Sequence, residues 1–337
     1  MTHKERVLAA LERRSVDRTP LWCGSPKPET IENLLNFYKV KDRESLLQRI
    51  GDDFRWISGL NWNHPEGKPI FDPYFGMEGQ RSHASPGIFA NCNDTGEVER
   101  YPWPEPQYVN CDSLEERLRP YNDYAILGGA WAPFFHNVAN FFGMENYFVK
   151  MYTCPKVVEA VTERVVDFYL AANEKIFTSA NGGIDIYFFG NDFGSQKGLL
   201  ISPEMFQRFI LPHIHRLVEQ AKKFSLKVML HCCGAISQII PYLIDIGIDG
   251  LHPMQVEGEG MDPEKLAAEF RDNITFMGGI STQQLLRKGT EEQVRQNVRY
   301  MKRLFGDGYI VSTSHEAILP DIPVENLAAM FDEAAAL

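Results

Sequence analysis

No run of eighteen apolar residues occurs in the chain, so no segment has the length of a bilayer-spanning helix. The N-terminus, Met1-Thr2-His3-Lys4-Glu5, leads into an amphipathic pattern without a secretory apolar stretch, so the expected location is cytoplasmic. Basic residues never follow one another more than two at a time. With 34 Lys and Arg against 45 Asp and Glu, the net charge of -11 carries no footprint for nucleic acid. Six cysteines in 337 residues are too sparse for a disulfide framework, which leaves thiols available for metal binding or catalysis. No Gly-x-Gly-x-x-Gly follows a strand-like run, which argues against an open dinucleotide-binding sheet. Neither a linker nor a short repeat divides the chain, and 44% hydrophobic residues exclude disorder, so residues 1–337 are expected to form one domain.

What is present is an alternation of strand-like and helix-like segments. Thr2-x-x-Glu5 is a capping box opening a helix over Lys4–Arg13, with Val7, Leu8 and Leu11 on one face. Arg18–Cys23 has the pattern of a first strand and Asp53–Ile57 of a second, with helices expected at Pro28–Tyr38 and Arg43–Ile50. Further strands are expected at Tyr124–Gly129, Ile184–Phe189, Leu226–His231, Asp249–Pro253, Ile274–Gly278 and Gly308–Ser312. Helix starts between them are marked by Ser202-Pro203-Glu204, Asp262-Pro263-Glu264 and Thr290-x-x-Gln293. Eight strands, each followed by a helix or an insertion, imply a parallel sheet closed into a (β/α)8 TIM barrel. Residues 59–120 break the pattern. Their density of Pro, Gly, Asn and aromatics (Trp62, Phe71, Tyr74, Phe75, Trp103) predicts a long ordered insertion after strand two, a lid or wall over one end.

In such a barrel the chemistry lies at the C-terminal ends of the strands. The fifth expected strand ends in His231-Cys232-Cys233-Gly234, where positions i and i+2 share a face, so His231 and Cys233 point together while Cys232 faces the helices. Imidazole and thiolate suit Zn2+, and a catalytic zinc needs three protein ligands with one position open. The bland alternative is a buried cysteine acting as a small hydrophobe. His315 or Glu316, after the eighth strand, could supply a third ligand, or His315 a catalytic acid. Asp192 is a candidate base or a loop cap. Asn191, Gln255, Trp131 and Asp53 are candidates for holding substrate, while Asp52 and Asp53 also have a structural reading. His213 and His215 are expected at the surface or at an interface, and His3, His64, His83 and His136 have no evident partner.

The segments Gly190-Asn-Asp-Phe-Gly-Ser-Gln-Lys-Gly-Leu-Leu-Ile-Ser-Pro-Glu204, His231-Cys-Cys-Gly234, Gly308-Tyr-Ile-Val-Ser-Thr-Ser-His315 and Pro320-Asp-Ile-Pro-Val-Glu-Asn326 resemble the uroporphyrinogen decarboxylase superfamily. The resemblance is dense from about Ala125 onward, and it implies a (β/α)8 barrel, commonly as a homodimer. True decarboxylases of that superfamily carry an arginine-rich segment after strand one that holds the carboxylates of the porphyrinogen. Here the place reads Cys23-Gly-Ser-Pro-Lys-Pro-Glu29, without arginine. The cobalamin-dependent methyltransferase branch carries His-x-Cys-Gly, matched by His231, Cys233 and Gly234, with a third zinc ligand, a cysteine, near the place of His315. The resemblance therefore implies a zinc-assisted methyltransferase moving a methyl group between a small substrate or thiol and a corrinoid. Since no Asp-x-His-x-x-Gly occurs here, the corrinoid is expected on a partner protein. A carboxy-lyase acting through Asp53, Asp192 and His315 on a porphyrinogen or simpler carboxylate is the alternative. A non-catalytic corrinoid- or tetrapyrrole-binding module is a third.

Overall fold

The computed structural model describes residues 1–71 and 85–336. Seven parallel strands form one sheet in sequence order: β1 (Phe54–Trp56), β2 (Ala125–Gly128), β3 (Ile186–Gly190), β4 (Lys227–His231), β5 (Gly250–Met254), β6 (Thr275–Ile280) and β7 (Tyr309–Thr313). Each falls within a residue or two of its expected place, and helices connect the successive strands from β2 onward, as parallel pairing requires.

The expected first strand is reduced to a bridge between Leu21 and Val311. Its neighbours explain why. Trp22 N donates to Val311 O and Val311 N to Pro20 O on one side, and Asp53 N donates to Leu21 O on the other. The N–H groups of Leu21 and Cys23, however, go to the carboxylates of Asp53 and Asp52, at 2.8 and 2.6 Å. Those donors are no longer available to a neighbouring strand, and Pro20 has none to offer. Residues 20–22 thus span the gap between β7 and the foot of β1.

Apart from Trp56 at the end of β1 and Lys227 at the start of β4, the strand residues are buried, with one apolar layer on each face of the sheet. Ala125, Leu127, Ile186, Phe188, Met229, Met277 and Ile310 point inward with Trp22 and Phe54. Their neighbours Ile126, Tyr187, Phe189, Val228 and Leu230 point outward to the helices, the period of two expected of strands. The helix His3–Leu11, opened by the expected capping box, sends Val7 and Leu11 into the inner layer and closes the N-terminal end. Ala10 O accepts from Thr275 Oγ1 of β6 at 2.9 Å, and Lys4 N donates to Asp123 O just before β2. With that end plugged, the C-terminal ends of the strands form the open mouth.

Within 59–120, Asn61–Trp62 pairs antiparallel with Val109–Asn110, and a short helix covers Thr95–Arg100. Phe71 meets Phe168 at 5.1 Å between ring centroids, and Trp103 meets Phe141 at 5.1 Å, so these aromatics pack on the helices Pro155–Ala180 and Phe134–Phe142. Tyr74, Phe75 and His83 lie outside the described residues. Among the described residues, no helix is long and apolar enough to cross a membrane.

Candidate metal centre

At the end of β4, His231 and Cys233 turn to the mouth together, with His231 Nε2 3.4 Å from Cys233 Sγ. Asp192, just past β3, brings Oδ1 to 3.4 Å from the same Nε2 and accepts from Cys233 N at 2.9 Å. Past β7, Glu316 Oε2 lies 3.8 Å from His231 Nδ1 and 3.5 Å from His315 Nδ1. Cys233 Sγ is common to two sets of donors, one with Asp192 and His231, the other with His315 and Glu316. Within each set all the atoms lie within 4.8 Å of one another.

These separations suit a cation. Tetrahedral bond lengths for zinc imply edges of about 3.5 Å between sulfur and nitrogen and about 3.4 Å between nitrogen and oxygen. The charge balance points the same way. Among the described residues, the ion pairs of Asp192 and Glu316 run to histidines and to no Lys or Arg. Glu316 Oε2 is buried with no hydrogen-bond donor among the described residues, an expensive position for a carboxylate oxygen that a bound cation would relieve. Burial first, then the charges of Asp192 and Glu316, push the Cys233 thiol well above its ordinary value. Burial also works against the Asp192 carboxylate, but the His231 ring and Cys233 N–H outweigh it and hold the group well below the usual range.

Backbone choices fix these side chains. A Cβ on Gly190 would lie 2.1 Å from Trp131 Cζ2, so only glycine lets that indole cross the end of β3 and pack on His231, 5.3 Å between centroids. Gly24, at φ +78°, approaches the carbonyl of Glu316 so closely that a Cβ would sit 2.8 Å from it, and Ser25 N donates to that same oxygen. Strand one and the loop after β7 are thereby held together.

Of the residues singled out from sequence, His231, Cys233, Asp192, His315, Glu316 and Trp131 meet at the mouth. Gln255 sits behind them, its Oε1 accepting from Gly234 N at 2.8 Å. Asn191 is buried. Its Oδ1 accepts from Phe135 N and its Nδ2 donates to Ala132 O, so its amide holds the loop after β2 instead of facing the opening. Asp53 is not brought to the mouth. It precedes β1 at the plugged end and accepts from Arg6 Nη1, Arg18 Nη1 and Nη2, and Leu21 N, at 2.7 to 2.9 Å, while His3 Nδ1 lies 2.7 Å away. Cys232 faces outward, accepting from Phe193 N. His213, expected at the surface or at an interface, is buried within the chain, because the inner stripe of the helix Leu211–Lys223 includes it. His215 is exposed and pairs with Glu219, and His64 Nδ1 accepts from Glu66 N.

Three features at the mouth escaped the sequence reading. His252 on β5 lies with its Nδ1 3.0 Å from His231 Nδ1. Burial, reinforced by the two neighbouring imidazoles, drives its pKa well below the ordinary value. It is hidden in the apolar run Leu251-His252-Pro253-Met254, and alignment of β4 against β5 would have exposed it. Glu257 accepts from Ser281 Oγ at 2.5 Å and Ser314 Oγ at 3.2 Å, joining three strand ends. Trp22 and Trp56 join Trp131 in an aromatic wall. Trp56 and Trp131 are 5.3 Å apart, and Trp22 lies 4.7 Å from His252. The first two also line a cavity of about 510 Å3 that reaches beside β1, together with Gly24, Arg43, Asp52 and Arg55.

A seven-stranded parallel sheet, flanked by helices and plugged at one end, with polar residues gathered at the strand C-termini, defines a protein of the α/β class. The family model for uroporphyrinogen decarboxylase (URO-D) matches residues 93–337, and the chain belongs to that family. A methylated-thiol–coenzyme M methyltransferase of Methanosarcina mazei is 27% identical over 243 residues, 71% of this chain and 58% of that protein. The methylcobamide:CoM methyltransferase MtbA of Methanosarcina acetivorans is 22% identical over 51% of this chain and 47% of its own length. MtaA of Methanosarcina barkeri, another methylcobamide:CoM methyltransferase, is 27% identical over 39% and 36%. The chain thus spans under two thirds of the length of these relatives. A solved methyltransferase structure from Methanosarcina mazei shares the fold with a TM-score of 0.67 at 16% identity, covering 99% of this chain and 98% of its own.

Proposed function

We propose that this chain is a zinc-assisted methyltransferase, built as a closed (β/α)8 barrel, that moves a methyl group between a small substrate or thiol and a corrinoid on a partner protein. The observation that carries the proposal is the donor set around Cys233, with edges of 3.4 Å to His231 and from His231 to Asp192. The relatives named above, each a methyltransferase of methylated thiols or methylcobamides, support the reaction class. Closure of the barrel rests on the Pro20–Trp22 hydrogen bonds to β7 and the bond from Asp53 N to Leu21 O.

Cys233, His231 and Asp192 would hold the metal, while Glu316, which shares Cys233 with His315 in a second set of donors, adds negative charge beside it. His315 has a different task. Its Nδ1 accepts from Ala317 N at 3.0 Å, so the proton of the neutral ring is on Nε2. His315 would therefore carry an N–H at Nε2, suited to giving a proton to a departing heteroatom. A bound zinc supplies Lewis acidity that keeps a coordinated thiol as thiolate at neutral pH. Trp131, packed on the His231 ring and on Trp56, would give the small substrate an apolar wall beside it.

The test is metal content. About one zinc per purified chain is expected, lost in His231→Ala and in Cys233→Ser. Protein that carries no zinc and takes none up on dialysis against it would sink the proposal.

A further inference from the structure

Strand register sets His252 of β5 directly beside His231 of β4, on the same face of the sheet. Of two nitrogens 3.0 Å apart, one donates and the other accepts. When His231 Nε2 gives its lone pair to a cation, the proton of the neutral ring must sit on Nδ1. That proton points at His252 Nδ1, whose ring then carries its own proton on Nε2. Glu316 Oε2, at 3.8 Å from the same His231 nitrogen, is beyond hydrogen-bond reach.

We infer that His252 is a positioning residue of the metal centre: its Nδ1 accepts from His231 Nδ1–H and fixes the tautomer and ring plane that aim Nε2 at Cys233 and Asp192. The inference rests on the zinc reading above. Metal-bound histidines usually donate their second N–H to a carboxylate or a carbonyl. A neutral imidazole in that place is a weaker acceptor than a carboxylate. It leaves His231 a less basic ligand and any metal there a stronger Lewis acid.

The surroundings of His252 support this role. The ring stands edge-on to Trp22, at 4.7 Å and 76°, and to Phe188, at 5.6 Å and 68°, which fixes its orientation. Cys232 N donates to His252 O at 2.7 Å, locking the two strands at this level. The far nitrogen, Nε2, is buried and has no hydrogen-bond partner among the described residues. In so apolar a niche Phe or Leu would pack without that unsatisfied group, so packing alone does not account for a histidine.

The experiment compares the wild type with His252→Asn, which restores an acceptor oxygen near the place of Nδ1, and with His252→Phe, which fills the niche without one. Zinc affinity is read by chelator competition, ligand geometry by the visible spectrum of the cobalt(II)-substituted protein, and folding by thermal melting. The expected result is a loss of about 10- to 100-fold in zinc affinity for His252→Phe, with an altered cobalt spectrum. Most of the loss should be recovered in His252→Asn. Equal affinity in wild type and His252→Phe would overturn the inference while leaving the zinc reading intact. So would equal losses in the two variants, which would place the requirement in the ring itself. A wild type that binds no zinc would overturn both together. If His252→Phe melts early, His252→Leu against His252→Asn gives the same contrast. In the wild-type zinc protein, nitrogen-15 spectra must also show His231 protonated on Nδ1, and protonation on Nε2 would overturn the inference independently.

Discussion

Replacing Asp53 by Asn should destabilise the protein strongly and leave its metal centre intact. The carboxylate is fully buried and faces Arg6, 7% exposed, and Arg18, 13% exposed, with His3 at 2.7 Å. Asn keeps the shape but removes the charge and turns an N–H2 toward groups that are themselves donors. Breaking a buried ion pair from one side typically costs about 3–5 kcal/mol, because the remaining charge is stranded. For 337 residues the unfolding entropy is roughly 0.7 kcal/mol per kelvin, so the melting midpoint should fall by about 4–7 °C. Burial opposes the ionised form of Asp53, but His3, Arg18 and Leu21 N–H outweigh it and its pKa is lowered. The sign follows from linkage. A carboxylate whose folded pKa is depressed contributes fully above its unfolded value, about 3.9, and the contribution fades as pH falls through the lower folded value. The gap between wild type and Asp53→Asn should therefore be constant at neutral pH and narrow in acid. The assay is thermal melting monitored by circular dichroism across that range, with zinc content in parallel. A midpoint shift under about 1 °C would refute the reasoning. Loss of turnover at unchanged stability would restore Asp53 as a substrate-binding residue.

Two further outcomes follow from the same geometry. Glu316→Gln should weaken zinc binding, since it removes a buried anionic oxygen, whereas His315→Gln should keep the zinc and lower turnover by about 10²–10⁴-fold, the usual contribution of a proton donor. Chelator competition and turnover assays on the two variants decide it, and zinc loss in His315→Gln alone would reverse the assignment. Asp52 behaves oppositely to Asp53. Burial pushes its carboxyl up to about 7 against the N–H groups of Cys23 and Phe54. A raised folded pKa means that the folded state holds the proton more tightly, so this group subtracts stability as pH climbs from about 4 toward 7. Asp52→Asn should flatten that part of the stability profile in urea titrations. A slope identical to that of the wild type would show that the carboxyl stays ionised between its two N–H donors.

What the sequence disclosed and what it hid divide along a physical line. Elements whose signal is local were legible. The capping box at Thr2, the proline-started helices and the alternating strands all appear where their own residues demand them, because propensity, pattern and fold agree there. The pair His231 and Cys233 was legible for the same reason, since two residues apart on one strand is a local relation. What stayed hidden depends on partners distant in sequence. Strand one shrinks to a bridge because two aspartates some thirty residues away capture its N–H groups, and nothing in Arg18–Cys23 records that capture. Asp53, a candidate for holding substrate with a structural reading beside it, stands at the foot of β1, where Arg6 and Arg18 from another segment gather around it. His252 looked like part of a buried apolar strand, which it is. Its second identity, as the neighbour of His231, exists only once β4 and β5 lie in register. Asn191 shows the converse. It sits beside Asp192 in a loop rich in polar residues, but its amide is engaged by the backbone of Ala132 and Phe135. Polarity at a strand end therefore marks where a site is built, and only the hydrogen-bond partners separate the residues that face a substrate from those that hold the others in place.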